Sequence, residues 1–212
     1  MMPHTVNACF VPERNEFIVP AAILRPPIFD ASKPPAYNYG SFGAILGHEP
    51  HHAFDPSGRQ FDGNGFLVAD PGDVRWYEKL VEPLDRQAAR NGENAKLTSG
   101  ENVADLAGVR AAFHAMKNLE HGYEGPQDDQ IFFTRFAQVW ACKMSRPDSE
   151  RRKLTDPHGP PNLRCNMTLM NMEAFYAAYG VLPGDGMFLP ENKRAQLWFP
   201  DNYDNLTSHP LR

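Results

Sequence analysis

Three rhythms of apolar and polar positions follow one another along this 212-residue chain, and each predicts its own kind of element. Val6 to Val11 reads as a short strand, Pro12-Glu13-Arg14-Asn15 supplies turn chemistry, and Glu16 to Val19 returns, which predicts a hairpin at the edge of a small sheet. Residues 25–36 are proline-rich and predict a connection. A helix is expected from Asn38, an acceptable N-cap, carrying Phe42, Ile45 and Leu46 on one side. Residues 55–72, rich in Gly and Asp, read as loop. A long helix is expected from about Asp73, with Trp76, Leu80 and Leu84 on one face and a kink at Pro83. The next is expected from Thr98, as N-cap with Glu101 as its capping-box partner, to about Leu119. Gln127 to Met144 is aromatic-rich and periodic, hence another core helix. Residues 148–164 read as a charged, proline-rich segment, and Glu173 to Tyr179 as a short helix stopped by Gly180. The residues after Trp198 are polar.

Two stretches of these helices carry chemistry as well as packing. His48-Glu49-Pro50-His51-His52 reads H-E-x-x-H. Residues i and i+4 share a helix face, so two imidazoles can converge on one zinc ion. Glu49 is turned about 100° from His48, which sets its carboxylate beside the metal, where it can take a proton from a zinc-activated water. His51 is turned about 100° from His52 and reads as packing or surface. Downstream, Glu101-Asn102-Val103-Ala104-Asp105 places two carboxylates at i and i+4 on a second helix. Glu101 can be the third ligand, and Asp105 can accept the other ring N–H of a ligand histidine.

H-E-x-x-H followed by E-N-x-A-D resembles the catalytic, carboxy-terminal domain of the neprilysin and endothelin-converting-enzyme family of zinc metalloendopeptidases. Val6-Asn7-Ala8, Phe17-Ile18-Val19-Pro20-Ala21, Ile23-Leu24-Arg25-Pro26-Pro27, Asn38-Tyr39-Gly40, Ala137-Gln138-Val139-Trp140 and Asp156-Pro157-His158 agree with that family's pattern, from about Val6 to Trp198. The resemblance implies an α+β, mostly helical, thermolysin-like zincin catalytic domain with a small β-sheet, spanning residues 1–198, with 199–212 as a polar tail. It implies one zinc ion per chain, His158 as donor to the oxyanion, and Arg164 as donor to substrate carbonyls. It implies that Asn7 and Ala8 grip substrate backbone, and that Ile23, Ile28, Ala44, Ile45, Val139 and Trp140 line the pocket for the residue after the scissile bond. The expected function is hydrolysis of oligopeptides on the amino side of large apolar residues. Family members are commonly membrane-anchored or extracytoplasmic, and an amino-terminal helical domain normally precedes the matched region, so self-association or a separate lid domain enters as an expected partner.

Composition narrows the classes further. A net charge of −5 gives no basic footprint for nucleic acid. No apolar run approaches the ~20 residues of a membrane span, and Met1-Met2-Pro3-His4-Thr5 lacks the pattern of a signal peptide. Cys9, Cys142 and Cys165 are scattered and have no metal-ligand spacing. One residue stands against the motif. Pro50 removes an intrahelical N–H and disfavours helical geometry at Glu49, at a cost of about 3 kcal/mol. Pro50, together with the missing amino-terminal domain, supports the rival reading of a truncated, weakly active or non-catalytic zinc-binding fragment that acts through interactions.

Overall fold

The computed structural model describes residues 1–70, 72 and 74–198. The sheet is a two-stranded antiparallel hairpin, β1 (Cys9–Val11) and β2 (Glu16–Ile18), in which Cys9 pairs with Ile18 and Val11 with Glu16. Asn15 closes the turn at φ 44°, a left-handed conformation that Asn tolerates. The strands are shorter than the apolar pattern predicts. Val6, Asn7 and Ala8 are not paired in the ladder, and run along the wall of a cleft.

Apart from an isolated bridge between Phe61 and Leu67, the other regular elements among the described residues are helices. Helix α1 (Pro35–Asn38) starts earlier than expected, with Pro35 in the first helical position, where its missing N–H costs nothing. Asn38 sits inside the helix and ties back to the preceding loop, bonding Asp30 N and O at 2.9 Å each. A π-helical segment at Tyr39–Gly43 joins α1 to α2 (Ala44–His51). The α2 helix continues through Pro50, and Glu49 remains helical, contrary to the disturbance expected there. Only one residue of α2 follows Pro50 before the chain tightens into a 3₁₀ turn at His52–Phe54, so the proline falls in a last turn.

Helix α3 (Val74–Arg90) also runs through its proline, Pro83. Its buried stripe is Tyr77, Val81, Leu84 and Ala88, whereas Trp76 is exposed. Of the expected face, Leu84 is buried, Leu80 half-buried and Trp76 exposed, because a strict i+4 ladder drifts around a 3.6-residue helix. The expected start at Asp73 lies outside the described residues, as does the tail at 199–212.

Helix α4 (Ala95–Lys117) is the centre of the molecule. Val103, Leu106 and Val109 are wholly buried, and Phe113 stacks among Phe132 and Phe133 of α5 (Pro126–Val139). The cap of α4 is Asn94, whose side chain accepts from Leu97 N, so the helix begins a turn before the expected Thr98. Thr98 is buried inside it and accepts from Asn102 Nδ2 at 3.1 Å. Glu101 therefore has no capping task. Helix α5 ends at Val139, five residues before the expected Met144, and leaves Trp140 at the turn. The segment read as charged and proline-rich contains two helices, α6 (Arg146–Thr155) and α7 (Pro161–Leu169), each with proline in its first turn. Helix α8 (Glu173–Tyr179) ends at Gly180, φ 64°, as its sequence predicts.

Candidate active site

The site is built where α2 lies on α4 backbone to backbone. A Cβ on Gly47 would come within 2.6 Å of Gly108 O, and one on Gly108 within 2.5 Å of His48 N. Only glycines permit this approach, and it brings the ligand-bearing faces of both helices together. The helices run antiparallel, since His48 meets Asp105 and Gly108 while His52 meets Glu101.

At that seam His48 Nε2 lies 3.0 Å from His52 Nε2 and 3.2 Å from Glu101 Oε2, and His52 Nε2 lies 3.8 Å from Glu101 Oε1. The three side chains bring their donor atoms within 4.8 Å of one another, so they form a group able to hold a metal ion. Each imidazole is held from behind by a carboxylate. His48 Nδ1 is 2.8 Å from Asp105 Oδ1, and His52 Nδ1 is 2.7 Å from Asp55 Oδ2. A histidine that gives its Nδ1–H to a carboxylate presents a bare lone pair at Nε2. With a metal bound, two such lone pairs and the buried Glu101 carboxylate would face the same point. Without a cation they repel one another. The two-nitrogen, one-oxygen donor set suits zinc, and tetrahedral Zn–N bonds of ~2.0–2.1 Å place neighbouring donors ~3.3 Å apart, near the spacing here.

The charges around the seam are consistent with that demand. Burial would lower the pKa of His48, but Asp105 and Glu101 outweigh it and raise it to about 9. Burial likewise opposes ionisation of Asp105, yet the Arg164 guanidinium and His48 hold its carboxyl well below the usual range. Arg164 donates from Nε at 2.7 Å and Nη2 at 2.6 Å to the two oxygens of Asp105, a bidentate pair that locks the carboxylate behind His48. Glu49 is 6% exposed at the same site, and burial raises its carboxyl pKa against the opposing pull of His48 and His52.

One cleft of about 660 Å³ contains all the residues nominated from the sequence. Asn7 and Ala8 form part of one wall beside β1, whose outer edge is unpaired among the described residues. Ile23, Ile28, Ala44 and Ile45, with Val139 and Trp140, make an apolar end. Arg164 lines the cleft with its guanidinium 3.9 Å from the centre of the Trp140 ring. His158 stands at the mouth, Nε2 3.3 Å from Glu101 Oε2 and Nδ1 2.8 Å from Asp156 Oδ1. His51 lies outside this set: its Nδ1 is 2.6 Å from Gly47 O, and its ring packs near Phe54.

With this geometry in view, the sequence profile of peptidase family M13 matches residues 7–195. The chain belongs to peptidase family M13. Its relatives include human endothelin-converting enzyme 1, 36% identical over 93% of this chain, and neprilysin-3 of Drosophila melanogaster, 34% identical over the same share. Among solved structures it resembles PepO of Lactobacillus rhamnosis HN001 (TM-score 0.84, 33% identity, 92% of this chain and 32% of that one). It also resembles the zinc metalloprotease Zmp1 of Mycobacterium tuberculosis (TM-score 0.84, 35% identity, 94% and 33%). The fold is thus the mostly helical zincin fold with a small sheet. The chain spans about a quarter of the length of the curated relatives it matches, 27% for both named. Among the described residues, no helix is long and apolar enough to cross a membrane.

One site residue escapes the motifs, and a second lies in a quoted stretch without an assigned role. Asp55 is buried, accepts from Ser57 N and Gly58 N at 2.7 Å each on Oδ1, and turns Oδ2 to His52. Its signal was the spacing His52-x-x-Asp55, which reads equally well as the start of a polar loop. Asp156 braces His158 through both its ring and its backbone N–H.

Proposed function

We propose that this chain is the catalytic portion of a zinc-dependent endopeptidase, holding one zinc ion through His48, His52 and Glu101 and cleaving oligopeptides on the amino side of large apolar residues. The observation that carries the reading is the convergence of those three donors, with two of them braced by carboxylates and Glu49 buried alongside. Zinc bound there would supply a Lewis acid for the scissile carbonyl and lower the pKa of a water molecule to about 7.

The remaining work falls to the chain's own side chains. Glu49, made more basic by burial, takes the proton from the attacking water and delivers it to the leaving amine. His158, held at Nδ1 by Asp156, turns Nε2 toward the metal group, where it serves the developing oxyanion. Asp105 and Asp55 fix the tautomer and orientation of the two histidines. Arg164 has spent Nε and Nη2 on Asp105, which leaves Nη1 for a substrate carbonyl. An extended peptide adds to the open edge of β1 beside Asn7 and Ala8, and its next side chain enters the apolar end of the cleft. Of the two grounds for the rival, non-catalytic reading, Pro50 and the amino-terminal domain that normally precedes the matched region, the first is weakened by Glu49 staying helical and bordering the cleft.

The test is hydrolysis of a mixed set of short quenched peptides, with and without a chelator, and mass-spectrometric mapping of the products. Chelator-sensitive cleavage before Phe, Leu, Ile or Met is expected. Absence of chelator-sensitive cleavage, or a preference for acidic residues after the scissile bond, would contradict the reading.

A further inference from the structure

The cleft has a second end, and its chemistry differs from the first. Because α2 and α4 are antiparallel, the apolar residues Ala44 and Ile45 lie beyond His48, on the Asp105–Gly108 side of the metal group. Beyond His52, on the other side, the cleft is bounded by Asp55, Pro56, Ser57 and Gly58 and by the first turn of α4, Lys96 and Leu97. Asp55 fixes this direction, since its carboxylate approaches both His52 and the backbone at Gly100.

Lys96 is the unspent charge at this end. Arg164, the other basic side chain lining the cleft, is committed to Asp105. Asp55 is satisfied by His52 and two backbone N–H groups. Lys96 is exposed and, among the described residues, has no acidic partner. The neighbouring segment carries a small excess of the same sign, with Arg151, Arg152 and Lys153 already paired to Asp148, Asp156 and Glu93. Residues 143–156 carry five basic side chains against three acidic ones in a chain whose net charge is −5. They include α6, which reaches the loop before α4 through Lys153 Nζ, 3.7 Å from Glu93 Oε1, and leads directly into His158.

We propose that Lys96 is a specificity determinant that selects peptides with an acidic side chain on the amino side of the scissile bond. The inference rests on the peptidase reading above: if the apolar end takes the residue after the scissile bond, the Lys96 end faces the residues before it. Lys96 precedes Glu101 by five residues, about 7.5 Å along the helix axis. An extended peptide advances about 3.3 Å per residue, so the preferred acidic side chain is about the second before the scissile bond. The preferred substrate is thus bipolar, acidic before the cut and apolar after it. The small basic excess around α6 adds long-range attraction for such peptides, which salt weakens.

Binding and turnover are measured separately so that failure of this inference and failure of the peptidase reading can be told apart. Zinc-loaded E49Q protein is titrated with two fluorescent peptides, identical except for Glu or Gln at the second position before a Gly-Phe bond. The Glu peptide is expected to bind about three- to tenfold more tightly at low salt, and the advantage to shrink at high salt. K96A should bring the two peptides level, K96E should reverse their order, and K96R should keep it. Circular dichroism checks the fold of each variant, and Lys96 is exposed on a first turn, where these changes are tolerated. Equal binding of the two peptides, absence of binding by either, or a Glu preference that survives K96E overturns the inference. Failure of the wild-type chain to cleave either peptide, with the binding preference intact, counts instead against the peptidase reading.

Discussion

The E49Q chain is expected to keep its zinc and lose peptide hydrolysis by about 10²–10⁴-fold, the range for removing a positioned general base. The amide has nearly the shape of the carboxylate but no charge and no basic oxygen to accept the proton of the attacking water. Glu49 is not part of the donor group formed by His48, His52 and Glu101, so metal content should not follow activity down. Initial rates on a quenched peptide, measured beside metal analysis of the same samples, check this. A loss of zinc in E49Q, or turnover within a few-fold of wild type, would remove Glu49 from the role of base.

The second large effect is structural and catalytic at once. Asp105 is 3% exposed and Arg164 is 8% exposed, and they form a bidentate pair behind His48. Truncating the aspartate in D105A leaves the guanidinium buried with its main partner gone. Breaking such a pair costs about 3–5 kcal/mol, a large share of the roughly 5–15 kcal/mol that holds a domain folded. It also frees the His48 ring, and loss of such a brace weakens metal affinity about 10–100-fold. Urea unfolding of the metal-free chain and zinc competition with a chromophoric chelator read the two effects separately. The double variant D105A/R164M should be more stable than D105A, because no unpaired charge remains, while its zinc affinity should stay low. If D105A unfolds at the wild-type urea concentration, the pair is not holding the core as argued.

The sequence revealed the parts of the site that obey helix periodicity. His48, His52, Glu101 and Asp105 are pairs at i and i+4, and such pairs must share a face wherever the helices pack. What it could not show was the partner of each residue across the fold. Arg164 lies 59 residues from Asp105, and nothing in its local sequence distinguishes a buried bidentate brace from a surface ion pair. The hairpin was legible, but its length was not, because Val6–Ala8 has a strand's apolar pattern without, among the described residues, a neighbouring strand to pair with. Residues 148–164 read as a charged, proline-rich segment, yet Pro147 and Pro161 each occupy a first turn, where proline initiates a helix. Pro50 and Pro83 sit inside helices that tertiary packing keeps intact.

Zinc content of the purified chain and of two single variants tests the central claim most directly. One zinc per chain is expected in the wild type and in H51A, and little or none in H52A, since His51 packs outside the donor group and His52 belongs to it. Full zinc occupancy in H52A, or its loss in H51A, would contradict the account.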